Sequence, residues 1–138
     1  MRPTWPQYFL ELAATVSTRS TCPRAAVGTV IVDPYSHQIL CTGYNGSICG
    51  EKHCSDVGCD LENDHCVRAV HSEANAIAQA ASAGISIDGA TAYVTHKPCW
   101  GCYKLLVNAG VTNIRYEQFY GTTYAESDRC TMMQRSRK

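Results

Sequence analysis

Neither sign of charge predominates in this sequence: 12 Lys and Arg stand against 12 Asp and Glu, a formal net charge of zero. That removes the overall attraction by which basic chains bind nucleic-acid backbones or anionic membranes. A small-molecule partner is therefore expected, with no nucleic acid and no membrane. No stretch approaches the ~20 consecutive apolar residues of a membrane span. The segment Met1 to Pro6 also lacks the basic-then-apolar pattern of a secretory signal, so a chain kept in the cytoplasm is expected. There is no internal repeat and no low-complexity tract, and 138 residues suit one domain, 1–138, around one core.

What the chain does hold is cysteine, nine in all. In a secreted chain that number would suggest a disulfide framework. Without a signal segment it points to reduced thiols serving a metal or a reaction, and an odd count would leave one cysteine unpaired in any scheme built of disulfides alone.

Apolar periodicity predicts a helix over 7–18, with Phe9, Leu12, Ala13 and Val16 on one face behind Pro6. Ala26 to Asp33 and Gln38 to Tyr44 read as two strands of a hairpin turning at Pro34-Tyr35-Ser36-His37. A helix over Ser72 to Ala83 closes at Gly84, and a strand follows at Thr91 to Thr95. A third helix begins behind Pro98 and stops at Gly110, and Val111 to Gln118 contains a fourth strand. Alternating strands and helices late in the chain imply crossover connections, hence a three-layer α/β/α domain with a mixed sheet of four or five strands. After Tyr120 the sequence turns polar, and a short helix or a fraying extension is expected there, which leaves little for a fifth strand.

The chemistry concentrates in two motifs, His71-Ser72-Glu73 and Pro98-Cys99-Trp100-Gly101-Cys102, each opening a predicted helix. A Cys-x-x-Cys pair at a helix start lets two sulfurs reach one ion, and the helix N-terminus favours thiolate over thiol. With His71, Cys99 and Cys102 as ligands, zinc keeps one open position for a water whose pKa falls to about 7. Glu73, two residues beyond the histidine, sits beside that water without being a ligand. This is the pattern of zinc-dependent base deaminases, in which the glutamate relays protons during attack on C4 of cytosine. Taken singly, the first motif is an ordinary polar helix start and the second could be a thiol redox pair; the two together specify the deaminase.

From about residue 8 to 120 the chain resembles the deoxycytidylate (dCMP) deaminases of the cytidine deaminase superfamily. The resemblance is carried by Cys22-Pro23-Arg24-Ala25-Ala26-Val27-Gly28, Gly43-Tyr44-Asn45-Gly46, His71-Ser72-Glu73-Ala74-Asn75-Ala76-Ile77 and Tyr93-Val94-Thr95. It implies conversion of dCMP to dUMP and ammonia, supplying dUMP for thymidylate synthesis. It further implies activation by dCTP, inhibition by dTTP with Mg2+, and a homo-oligomer, typically a hexamer. Among site residues it implies that Asn45 hydrogen-bonds the sugar, that Arg24 lies near the phosphate, and that Asn75 and Ala76 shape the pocket. Asn45 before Gly46 also fits a simple turn, and Arg24 a solvated surface charge. Ser72 stands where the resembled family usually has alanine. Two readings of another class remain: an editing deaminase of tRNA or single-stranded DNA, and a non-catalytic zinc module.

The segment 45–70 has no sustained period and few apolar anchors, so it requires a cross-link. A second, structural zinc is expected on Cys54, Cys59 and Cys66, with Cys22 as fourth ligand and His53 and His65 as reserves. Some members of the resembled family carry such an ion. Cys41, Cys49 and Cys130 are left outside it.

Overall fold

The computed structural model describes residues 1–63, 65–118 and 132–134. Helix α1 (Trp5–Ser17) begins two residues earlier than its apolar period. The Thr4 hydroxyl accepts from the Gln7 N–H at 3.3 Å while the Gln7 side chain accepts from the Thr4 N–H at 2.9 Å. This reciprocal cap satisfies two donors that the first turn cannot.

Strand β1 (Gly28–Val32) pairs antiparallel with β2 (Ile39–Tyr44) on one side and with β7 (Thr91–His96) on the other. Strand β8 (Asn113–Gln118) runs parallel to β7, joined to it through α4 (Trp100–Asn108), and with β9 (Met132–Gln134) the sheet order is β2-β1-β7-β8-β9. The fifth strand, β9 (Met132–Gln134), corrects the expectation for the polar C-terminal segment. It pairs antiparallel with β8, and ladder bonds use backbone groups that a polar sequence supplies as well as an apolar one. The rest of that segment, with Cys130, lies outside the described residues.

Two cores fill the layers. Phe9, Leu10 and Ala13 of α1 pack on Val30, Val32 and Tyr93. The opposite face, with Ile31, Ala92, Val94, Ile114 and Tyr116, packs against Ala76 and Ala80 of α3 (Ser72–Ala83) and Leu106 of α4. Successive residues of β1 alternate between the two cores, as a period of two requires, and all five are buried. Gly84 closes α3 in the left-handed conformation (φ 68°) and donates to the carbonyls of Ala80 and Ala81.

Residues 45–70 are organised by short pieces: β3 (Gly46–Ser47) pairs with β6 (Ala69–Val70), α2 spans Cys54–Val57, and β4 (Leu61–Glu62) pairs with β5 (His65–Cys66). No single period could reveal pieces this short.

Gly43 sets the distance between β2 and α3. A Cβ there would overlap the Ser72 carbonyl oxygen and stand 2.5 Å from the Ala76 nitrogen. Both are helix backbone, which cannot rotate away. Gly43→Ala is therefore expected to lower stability by about 3 kcal/mol, the upper end of overpacking costs, read as a lower urea midpoint at unchanged m.

Candidate active site

Two helix N-termini converge beyond the C-terminal end of β7, the central strand of the sheet. His71 is the N-cap of α3, with extended backbone (φ −66°, ψ 151°), and Cys99 is the N-cap of α4, with its sulfur accepting from the Cys102 N–H at 3.4 Å. His71 Nδ1 lies 3.5 Å from Cys99 Sγ and 3.4 Å from Cys102 Sγ. Around one zinc ion, with bonds of ~2.1 Å to nitrogen and ~2.3 Å to sulfur, tetrahedral angles set N···S edges of about 3.6 Å. The two N···S separations, 3.5 and 3.4 Å, fit that figure. Burial, with Glu73 and Cys99 nearby, pushes the Cys102 thiol strongly up. A divalent cation among these groups offsets that penalty by compensating thiolate charge.

Glu73 is 4% exposed. It lines a cavity of about 570 Å³ together with His71, Cys99, Asn45, Arg24 and Lys97, a volume ordinary for small-molecule sites. Its Oε1 accepts from the Ser72 hydroxyl, which in turn stands 2.8 Å from the hydroxyl of Thr29 on β1. His96, absent from the sequence expectations, lines the same cavity, its Nδ1 2.9 Å from the Thr95 hydroxyl. Burial holds the His96 imidazole below its usual pKa although the charge of Glu73 draws it upward. A histidine three residues before a Cys-x-x-Cys pair carries no signal of its own. Only its place on the cavity wall distinguishes it.

The other expected residues divide. Arg24 is exposed and on the cavity wall. Asn45 is buried on that wall, but its amide oxygen accepts from the Val27 N–H at 2.9 Å and its NH2 donates to the Ala25 carbonyl at 2.7 Å, so it pins the segment that bears Arg24. It does not adopt the positive φ of an Asn-Gly turn. Asn75 and Ala76 are corrected: neither lines this cavity. Asn75 donates to the Tyr44 carbonyl at 2.8 Å and faces a second groove of about 440 Å³ behind β2, and Ala76 is wholly buried in the core. Helix geometry explains this: Asn75, two residues on, is rotated about 200° from Glu73, whereas Ala76, about 60° away on the same face, lies nearly a turn further along the axis, over the core.

Cys54, Cys59 and Cys66 form a second cluster within 4.8 Å, with Cys54 and Cys66 sulfurs 3.6 Å apart. Burial pushes the Cys66 thiol up, but backbone bonds involving Ala69, Asp60 and Arg68 outweigh it and bring it down to about 7, whereas burial and Cys66 push Cys54 up to about 12. Cys22 stands outside the tight trio. It adds to the rise of the Cys59 thiol, which desolvation leads, and with Cys66 it lines the catalytic cavity. His53 caps α2 and faces the second groove, and the side chain of His65 lies outside the described residues.

Residues 3–118 match the family described as the cytidine and deoxycytidylate deaminase zinc-binding region. The chain is 45% identical over 121 residues to ComE operon protein 2 of Bacillus subtilis, covering 88% of this chain and 63% of that protein. It is 35% identical over 127 residues to the deoxycytidylate deaminase of Mycobacterium phage D29, covering 83% of this chain and 95% of that one. It thus spans less than two thirds of the Bacillus relative's length. Among solved structures, the dCMP deaminase of cyanophage S-TIM5 in complex with dCMP and dUMP superposes with a TM-score of 0.75 at 33% identity, covering 87% of this chain and 85% of that one.

Proposed function

The chain belongs to the cytidine and deoxycytidylate deaminase zinc-binding family, and from that premise we propose that it is a cytoplasmic enzyme converting dCMP to dUMP and ammonia, supplying dUMP for thymidylate synthesis. The observation that carries this reading is one cavity lined by His71, Cys99, buried Glu73 and the cations Arg24 and Lys97, with Cys102 completing the ligand trio 3.4 Å from His71 Nδ1. His71, Cys99 and Cys102 would hold zinc, which when bound would supply a water acidified to near neutral pH. Glu73 is the group that takes up the proton of the attacking water, passes it to ring N3, and then assists departure of the C4 amine. Arg24, on the segment pinned by Asn45, faces the nucleotide phosphate.

Cys54, Cys59 and Cys66 hold a second, structural zinc with Cys22 as the fourth ligand, which ties the loop to the wall carrying Arg24. The groove behind β2 contains Gly43, Tyr44 and Gly46, of a segment that resembles part of the regulatory region of dCMP deaminases. Activation by dCTP and inhibition by dTTP with Mg2+, in a hexameric homo-oligomer, belong to the same proposal. Among the described residues no helix is long and apolar enough to cross a membrane.

A panel of cytosine, cytidine, deoxycytidine, CMP, dCMP and dCTP tests the reading. The expected result is a kcat/KM for dCMP about 100-fold above that for deoxycytidine, since a charge-assisted phosphate contact is worth about 2–3 kcal/mol. Equal values would remove the phosphate role of Arg24, and faster turnover of RNA or single-stranded DNA would replace the reading with an editing enzyme. The same assay at low dCMP, with and without micromolar dCTP, tests regulation, and a flat response ends that part.

A further inference from the structure

Ser72 and Thr29 are wholly buried hydroxyl residues 43 positions apart in sequence, yet their oxygens lie 2.8 Å from one another. The Ser72 hydroxyl also donates to Oε1 of Glu73 at 2.5 Å. That bond uses the single Ser72 hydrogen, so in the contact between the two hydroxyls the Thr29 hydrogen goes to Ser72. The direction of the chain is thereby set: Thr29 to Ser72 to Glu73.

We propose that Thr29 and Ser72 form a two-hydroxyl relay that holds Oε1 of Glu73, so that the protons of the deamination travel on Oε2. The inference rests on the reading of Glu73 as the proton carrier. In each turnover one hydrogen of the water ends on N3, the other leaves in ammonia, and the oxygen becomes O4 of the uracil ring. Both hydrogens pass over one oxygen of Glu73. Ser72 can donate to Oε1 whether the carboxyl is ionised or carries its proton on Oε2, so the relay needs no rearrangement between the two transfers. A carboxylate held in this way starts the reaction already oriented, whereas a freely rotating one would have to be ordered at the moment of transfer.

The anchor of the relay is rigid. Thr29 sits on β1, flanked by β2 and β7, and its register partner on β2 is Gly43, the residue whose missing Cβ lets the start of α3 approach the sheet. A valine would fill the Thr29 volume without a hydroxyl, and burying a hydroxyl costs about 1–3 kcal/mol unless it is bonded. The bond to Ser72 meets that requirement and hands the orientation on to the acid. Thr29 and Ser72 touch no reacting atom in this scheme. They are positioning residues.

The test is a double-mutant cycle on dCMP turnover with Ser72→Ala, Thr29→Val and both together, with zinc content and melting temperature measured on each protein. Ser72→Ala is expected to lower kcat about tenfold and Thr29→Val about threefold, with KM within about twofold of the parent and zinc content unchanged. The double variant is expected to be no slower than Ser72→Ala, because Thr29 acts only through Ser72. Parental kcat in Ser72→Ala, additive losses in the double variant, or a change confined to KM would each overturn the relay. If Ser72→Ala does not fold, the volume-preserving Thr29→Val decides alone, and parental kcat in it overturns the proposal. Glu73→Ala separates the two levels: activity near the parent's would remove the proton-carrier reading itself, while an inactive Glu73→Ala beside an unaffected Ser72→Ala removes only the relay.

Discussion

Glu73→Ala is expected to give a folded, zinc-loaded protein whose turnover of dCMP is lower by about three orders of magnitude. General acid–base catalysis by a placed side chain is worth ~10²–10⁴-fold, and here one carboxylate serves both transfers, so the loss stands well above the lower end of that range. The metal should stay, because the ligand atoms of His71, Cys99 and Cys102 come together without Glu73. The fold should stay as well. Glu73 stands in the first turn of α3, where its charge favours the helix by ~0.3–1 kcal/mol, while removing a carboxylate from a site 4% exposed relieves a desolvation penalty of opposite sign. Rate, zinc content and melting temperature measured together check this. A variant that keeps a quarter of the parental rate would show that another group carries the protons, and His96 on the same wall would be the first to examine.

Cys54→Ser is expected to remove one of two zinc ions per chain and to lower the melting temperature by more than about 10 °C. Cys54 is 2% exposed and lies 3.6 Å from Cys66 across the cluster, so a serine there replaces a buried thiolate ligand with a poor one. The elements of 45–70 are pairs of two residues and one four-residue helix, too short to hold themselves in water. Structural zinc contributes folding free energy directly, and in a chain of this size each kcal/mol shifts the midpoint by several degrees. Because Cys22 and Cys66 also line the catalytic cavity, KM for dCMP should rise in the variant. One zinc per chain in a metal-replete, fully active parent would refute the second site and leave the first untouched.

The meeting of His71, Cys99 and Cys102 beside the helix turn that bears Glu73 was legible in the sequence, because each half of that grouping lies within five consecutive residues at a helix start. Local spacing then determines which atoms share a side. The start of α3 at Ser72 and its end before Gly84 were legible for the same reason: a period and a cap are local. The clustering of Cys54, Cys59 and Cys66 was legible, since so apolar-poor a stretch holds little else to order it. The first turn of α1 was not, because its capping box lies outside the apolar period.

What only the tertiary structure decided are relations between distant segments. Ser72 reads as a trivial replacement of alanine, and Thr29 as one β-branched residue in a buried strand. That they bond each other and Glu73 follows from the packing of α3 on β1 and β2 at Gly43. Asn75 and Ala76 were assigned to the pocket by the family resemblance, but rotation about the helix axis carries Asn75 to the second groove, and the rise along it carries Ala76 into the core. Asn45 spends both ends of its amide on Ala25 and Val27, a use that a turn-prone Asn-Gly pair does not reveal. Local sequence determines which groups a helix start or a strand presents, since backbone geometry repeats every 3.6 or 2 residues. Which of those groups meet across 40 or more residues is decided by packing, where a single absent Cβ at Gly43 sets how closely a helix can approach a sheet.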